Sequence, residues 1–126
     1  MKKKRVYKSK YNNIKVVIDG IKFDSILESN IYLLLKSFCN KNNLVLERQV
    51  KFCIFNNGKS KRYLIPDFKI GNIIIEVKSK ATEKNPSFRL KKELFLEKFS
   101  KYNFQIVKSI PECLLLLQEF QSQKMI

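Results

Sequence analysis

Histidine is absent from all 126 residues, and every mechanism that needs an imidazole goes with it: HNH-type nucleases, RNase A-like enzymes and histidine-based phosphotransfer. Any catalysis must use carboxylates, Lys or Tyr. No two cysteines have C-x-x-C spacing, which argues against structural zinc. Cys39, Cys53 and Cys113 are odd in number and sit among apolar neighbours, a pattern that predicts buried free thiols in a reducing, cytoplasmic compartment. No apolar run approaches the ~20 residues needed to span a bilayer. The basic opening stretch is followed by no apolar segment of signal-peptide type. Internal repeats and low-complexity linkers are missing too. A chain of this length with 44% hydrophobic residues suits one core. Residues 1–12 read as a flexible basic arm and residues 13–126 as a single domain.

Acidic residues are scarce. Eleven Asp and Glu stand against 26 Lys and Arg, a formal charge of +15 spread over the whole chain. That is the electrostatic footprint of a polyanion binder, with a generically basic soluble protein as the plainer alternative. Nucleic acid is favoured over membrane, and Lys3, Lys4 and Arg5 in the arm become candidate phosphate contacts.

Hydrophobic periodicity orders the elements. Val16–Ile18 and Ile21–Phe23 flank Asp19-Gly20, a pair suited to a hairpin turn with positive φ at both central positions. From Ser25 to about Asn40, Leu27, Ile31, Leu34, Leu35 and Phe38 form one helical stripe. Alternation predicts a strand from Leu44 to Phe55, interrupted by Arg48. Residues 62–70 and 73–79 read as two more strands joined at Gly71-Asn72, a two-residue loop with Gly first. Asn85 and Pro86 open a second helix to about Tyr102 with Phe88, Phe95 and Phe99 as inward anchors. Phe104 to Lys108 is a last strand, and Ser109 and Glu112 have capping-box spacing for a final helix from Pro111 to about Gln121. The expected order is hairpin-α-β-β-β-α-β-α, an α/β chain with a central mixed sheet flanked by helices.

The Gly71-Asn72 turn carries the chemistry. It sets Phe68 opposite Ile75 and Asp67 opposite Glu76, so two carboxylates face each other roughly 4.5 to 5.5 Å apart at Cβ, an arrangement that destabilises a sheet. A hard divalent cation with oxygen ligands relieves it, and Mg²⁺ characteristically takes one or two protein carboxylates and keeps several waters. Mn²⁺ is expected to substitute. Strand alternation puts Lys78 on the same face as Glu76, where its ammonium can orient a water or offset developing charge. Phe68, Ile73, Ile75 and Val77 fall on the opposite face, against a helix. Pro66 lacks a backbone donor, which suits an edge or bulge beside a site.

Ile65-Pro66-Asp67, eight further positions and then Glu76-Val77-Lys78 resemble the signature of the PD-(D/E)XK nuclease superfamily over roughly residues 16 to 108. Phe23-Asp24-Ser25-Ile26-Leu27-Glu28 is similar to the helical segment from which phage-borne and resolvase-like members supply another acidic residue, with Glu28 at the matching position. The resemblance implies a restriction-endonuclease-like core and hydrolysis of DNA phosphodiesters. Asp67, Glu76 and the Val77 carbonyl would hold Mg²⁺, Glu28 would complete the site, and Lys78 would position the attacking water. Gln49 resembles a glutamine that adjoins the site in that family. Lys80, Lys84, Arg89, Lys91 and Lys92 match basic positions that hold phosphates there.

Each of these residues has a plainer reading. Ser25 and Glu28 have capping-box spacing, although Glu28 lies only ~20° around the helix from Leu35 and so borders the buried stripe. Gln49 can be the polar face of an exposed strand, and the basic residues a solvated helix face. The expected partner is duplex or branched DNA, bound with a marked salt dependence, and the expected assembly is a homodimer with no nucleotide cofactor. Small size without a separate recognition domain suggests a junction-resolving enzyme. A restriction, homing or transposon-end endonuclease of the same fold is the enzymatic alternative, and an inactive nucleic-acid-binding module the non-enzymatic one.

Overall fold

Tight turns and breaks in alternation, more than the strands themselves, decide this architecture. The computed structural model describes residues 5–8 and 14–123. Strand β1 (Arg5–Lys8) pairs antiparallel with β2 (Ile14–Ile18), which pairs with β3 (Ile21–Phe23). Asp19 at φ 54 and Gly20 at φ 77 give the hairpin turn that the Asp-Gly pair predicts. Arg5–Lys8, expected within a flexible arm, instead form a strand, so Arg5 belongs to a sheet. Lys3 and Lys4 lie outside the described residues.

Helix α1 (Ile26–Asn42) starts where the Ser25 hydroxyl accepts a hydrogen bond from the Glu28 N–H at 3.0 Å. It ends at Asn43, in the left-handed region at φ 55, whose N–H donates to the Cys39 carbonyl. Strands β4 (Leu46–Arg48), β7 (Phe68–Ile70), β8 (Ile73–Val77) and β9 (Asn103–Val107) form a four-stranded sheet in the order β4-β7-β8-β9. Its first pairings are antiparallel, and β8–β9 is parallel. Strands β5 (Phe52–Asn56) and β6 (Lys61–Leu64) make a separate two-stranded ribbon.

Two strands expected to be continuous are broken. The run from Leu44 to Phe55 snaps at Gln49, whose φ of 51 is incompatible with an extended ladder. The run over residues 62–70 is interrupted by Ile65-Pro66-Asp67, where Pro66 has no N–H to give. After β8, a one-turn helix α2 (Lys80–Glu83) that periodicity did not foresee is fixed by a reciprocal Ser79–Thr82 capping box. Helix α3 (Pro86–Lys98), with Asn85 as N-cap, stops four residues short of Tyr102 because Phe99 takes φ −118 and ψ 57. Helix α4 (Ile110–Gln123) completes the chain. Among the described residues, no helix is long and apolar enough to cross a membrane.

The chain is thus mixed α/β, with the sheet covered on both sides. Ile31, Tyr32 and Leu35 of α1, Leu116, Leu117 and Phe120 of α4, and Phe68, Ile70, Ile73, Ile75 and Val107 of the sheet share one core. On the other side Ile74 joins Phe52, Ile54, Leu64 and Phe95. The face expected to be reactive is therefore oily at Ile74, and becomes polar only at Glu76 and at Lys78, just past the end of β8. Of the three anchors expected on α3, Phe95 alone is fully buried. Cys39 and Cys113 are buried free thiols, whereas Cys53 is half-exposed on the ribbon.

Phe95 is the keystone of the second core, with its ring 5.1 Å from those of Phe52 and Phe99 and 5.6 Å from that of Tyr102. Phe95→Ala is expected to lower unfolding stability by about 3 to 5 kcal/mol in a urea titration. A loss below ~1 kcal/mol would mean that α3 and the ribbon do not share a packed core.

Candidate active site

Gly71 at φ 58 supplies the positive φ that the first loop residue requires, and the resulting register is Ile70↔Ile73, Lys69↔Ile74 and Phe68↔Ile75. One rung further, Asp67 comes opposite Glu76, and here the ladder gives way to side chains. The Asp67 N–H donates to Glu76 Oε1 at 3.3 Å, and the Val77 N–H donates to Asp67 Oδ2 at 2.8 Å. Pro66 explains the change. It sits at the rung facing Val77 and brings no N–H, so it cannot claim the Val77 carbonyl.

Glu76 is 5% exposed and is the one buried acidic side chain among the described residues. A buried carboxylate ordinarily needs a cation, yet none of Glu28, Asp67 and Glu76 is in an ion pair among the described residues. Burial pushes the Glu76 carboxyl up to about 9, helped by its hydrogen bond with the Asp67 carboxyl and by the Asp67 charge, against the opposing pull of Lys78 and of the Asp67 N–H. Burial likewise lifts Glu28 to about 7, helped by the Asp67 charge and a hydrogen bond with the Asp67 carboxyl, while Arg48 draws it down. Three carboxyl groups from α1, the β6–β7 junction and β8 thus crowd one spot. The serine half of the expected capping box is made, but Glu28 turns its carboxyl to Asp67. Sequence spacing left that choice open, and packing decides it.

Lys78 lies beside this cluster with its Nζ 4.6 Å from the centre of the Phe88 ring. Glu76 and Lys78 form one wall of a pocket of about 410 Å³, whose other walls include Tyr63, Ile65, Asn85, Phe88 and Lys91. Phe88 is therefore a pocket wall and not a core anchor. Gln49 is exposed, and its N–H donates to the Asp67 carbonyl at 3.3 Å, so it steadies Asp67 through the backbone.

The basic residues divide. Lys91 faces the pocket that holds Glu76 and Lys78, whereas Lys84, Arg89 and Lys92 line a second depression of about 430 Å³ with Phe88 and Ile106. Lys80 opens α2. Arg48 was overlooked as more than an interruption of alternation. Its guanidinium stacks 4.9 Å from the Phe23 ring centre, and its buried Nε has no hydrogen-bond partner. A charged residue breaking an apolar alternation immediately before Gln49 was the available signal.

Asp67, Glu76 and the Val77 carbonyl offer only hard oxygen donors, which fit Mg²⁺ or Mn²⁺ in kind and number once waters complete the shell. No group of three or more Asp, Glu, Cys or His side chains among the described residues is arranged as a ready-made metal cage. The family described as protein of unknown function (DUF1064) matches residues 8–112. No curated protein and no solved structure matches the chain.

Glu28 and Glu76 hold their protons more tightly folded than at the ordinary value of 4.5. Their contribution to stability is therefore fully present below about pH 4.5 and is lost as pH rises through about 7 and towards 9. In thermal melts with EDTA, Glu28→Gln is expected to match the parent near pH 4.5 and to become the more stable of the two above pH ~7. A helix-capping role for the Glu28 carboxyl would instead give the variant a loss at every pH, and that result would remove Glu28 from the cluster.

Proposed function

This chain belongs to the DUF1064 family, and we propose that it is a Mg²⁺-dependent DNA endonuclease of the PD-(D/E)XK type with a restriction-endonuclease-like core. The observation that carries the reading is the burial of Glu76 against Asp67, with Glu28 crowding the same spot and no Lys or Arg among the described residues ion-paired to any of the three. A purely structural carboxyl cluster would be a liability with no return, whereas a cluster that holds a divalent cation is stabilised by it.

Asp67, Glu76 and the Val77 carbonyl would hold the ion, and Glu28 would reach it directly or through water. When bound, the ion supplies charge neutralisation and polarisation at the phosphoryl group. The Asp67 carboxylate is oriented by the Val77 N–H, and Glu76 by the Asp67 N–H. Lys78, held over the Phe88 ring, orients the attacking water and offsets charge that develops on the phosphoryl oxygens. Water adds to phosphorus, one P–O bond to sugar breaks, and a proton passes to the leaving alkoxide. The pocket beside Glu76 and Lys78, with Lys91 on its far wall, takes the phosphate. A single site cuts a single strand, so cutting both arms of a branched substrate calls for a homodimer, and junction-like DNA is the substrate proposed.

Asp67→Asn, Glu76→Gln and Lys78→Ala are each expected to lower cleavage by at least ~100-fold, with binding in EDTA kept within about threefold of the parent. The assay compares a four-way junction, a linear duplex of the same sequence and a single strand, with Mg²⁺, with Mn²⁺ and with EDTA. Full activity in any one of these variants would overturn the assignment. Duplex cutting without junction preference would favour a restriction or transposon-end enzyme, and binding without cutting would leave the non-enzymatic module.

A further inference from the structure

The ribbon β5–β6 presents charge of one sign only. Between Gln49 and Pro66 the chain carries Lys51, Lys59, Lys61 and Arg62 and no acidic residue. Every residue from Phe55 to Arg62 is exposed, yet the ribbon is no floppy loop. Its root is packed, with the Phe52 ring 5.1 to 5.3 Å from those of Phe95, Phe99 and Tyr102. Its tip is locked: Asn57 Oδ1 accepts from the Lys59 and Ser60 N–H groups at 2.9 and 2.7 Å, and Asn56 Oδ1 accepts from the Gly58 N–H at 3.0 Å. A register shift between Cys53 and Phe55 accompanies the burial of Ile54 in the second core.

Both feet of the ribbon stand on the proposed nuclease site. Gln49, just before β5, donates its N–H to the Asp67 carbonyl, and β6 runs through Ile65 and Pro66 into Asp67 itself. Tyr63, Leu64 and Ile65 line the pocket that contains Glu76 and Lys78. Whatever the ribbon holds is held next to that pocket.

We propose that the β5–β6 ribbon enters the major groove of duplex DNA and seats a phosphate of one strand in the pocket bounded by Glu76 and Lys78. The dimensions select the groove. From Ile54 to the tip the ribbon extends roughly 13 Å at ~3.3 Å per residue, against a major groove about 8.5 Å deep and 12 Å wide that admits a two-stranded ribbon. Two strands ~4.8 Å apart with side chains on both sides exceed the ~6 Å minor groove. In A-form RNA the major groove is too deep and narrow for side chains to read, so the ribbon selects DNA. The position of the cut rests on the nuclease reading, but the binding mode does not.

The test measures fluorescence anisotropy of the whole chain on duplex DNA, duplex RNA and single-stranded DNA of one sequence, in EDTA, over a salt series. Lys61→Ala/Arg62→Ala is expected to weaken duplex DNA binding at least tenfold and to reduce the salt slope by about 1.8, the value for two lost phosphate contacts. Its melting temperature should equal the parent's, because both residues are exposed. Lys41→Ala/Lys101→Ala, which removes the same charge from exposed positions elsewhere, should stay within threefold of the parent, and neither variant should move duplex RNA binding by more than threefold. Duplex DNA binding that survives in the ribbon variant overturns the proposal, as does an equal loss on all three nucleic acids. Binding is read in EDTA and cleavage separately with Mg²⁺, so a parent that binds through the ribbon but never cleaves with Mg²⁺ would sink only the nuclease reading. A parent that cleaves while the ribbon variant binds normally would sink only this one.

Discussion

The contact on which this structure turns is the one between Asp67 and Glu76. Two acids at adjacent strand ends, one of them buried, are held together by backbone N–H groups, and each N–H that orients one carboxyl comes from the other acid or its neighbour. Hydrogen bonds to a carboxylate favour its charged form, while burial and a like charge oppose it. For Glu76 the opposition wins by a wide margin, so the arrangement exists at the expense of ionisation. A fold that needed only stability would have placed a branched aliphatic there, continuing the run of Ile73, Ile74 and Ile75.

The defects in the sheet serve that contact. Without Pro66 the rung facing Val77 could close by backbone hydrogen bonds, and Asp67 would be one more strand residue with its carboxylate aimed along a regular pleat. Without the left-handed turn at Gln49, β4 would run straight into β5, and the Gln49 N–H would not be directed at the Asp67 carbonyl. The two irregularities lie on either side of Asp67, and both cut long hairpin strands into a regular half that builds the sheet and a free half that becomes the ribbon.

Much of this was legible in the chain. Two glycines, Gly20 and Gly71, fix their hairpins because their loops need positive φ, and from Gly71 the register down to Phe68↔Ile75 follows by counting. Helix starts at Ser25, Asn85 and Ser109 were readable because a short side chain that reaches an amide two or three residues on is a local event. What escaped was non-local. The alternation of residues 44–55 breaks at Arg48, but that break does not say that Gln49 takes a left-handed turn, since a left-handed residue without glycine is selected by what it contacts across the sheet. Phe88 has the spacing of a core anchor, but the pocket lies where it points, and Lys78 covers its face. Whether Glu28 would cap or converge depended on the distance between α1 and β7, which helix spacing does not contain.

Charge ties the parts together under the nuclease reading. The chain as a whole carries +15 and would draw a polyanion from a distance, yet the spot where a phosphate would react gathers three carboxyl groups. Long-range attraction and short-range repulsion are therefore opposed, each ionised carboxyl of the niche acting through a lower dielectric than the solvated lysines around it. Partial protonation of Glu28 and Glu76 softens that repulsion without removing it. A divalent cation would reverse the local sign, so that the basic surface can hold DNA without the ion while the reaction waits on it. Binding and cleavage would then be separable: the ribbon and the α3 lysines would govern the first, and the occupancy of the carboxyl cluster the second.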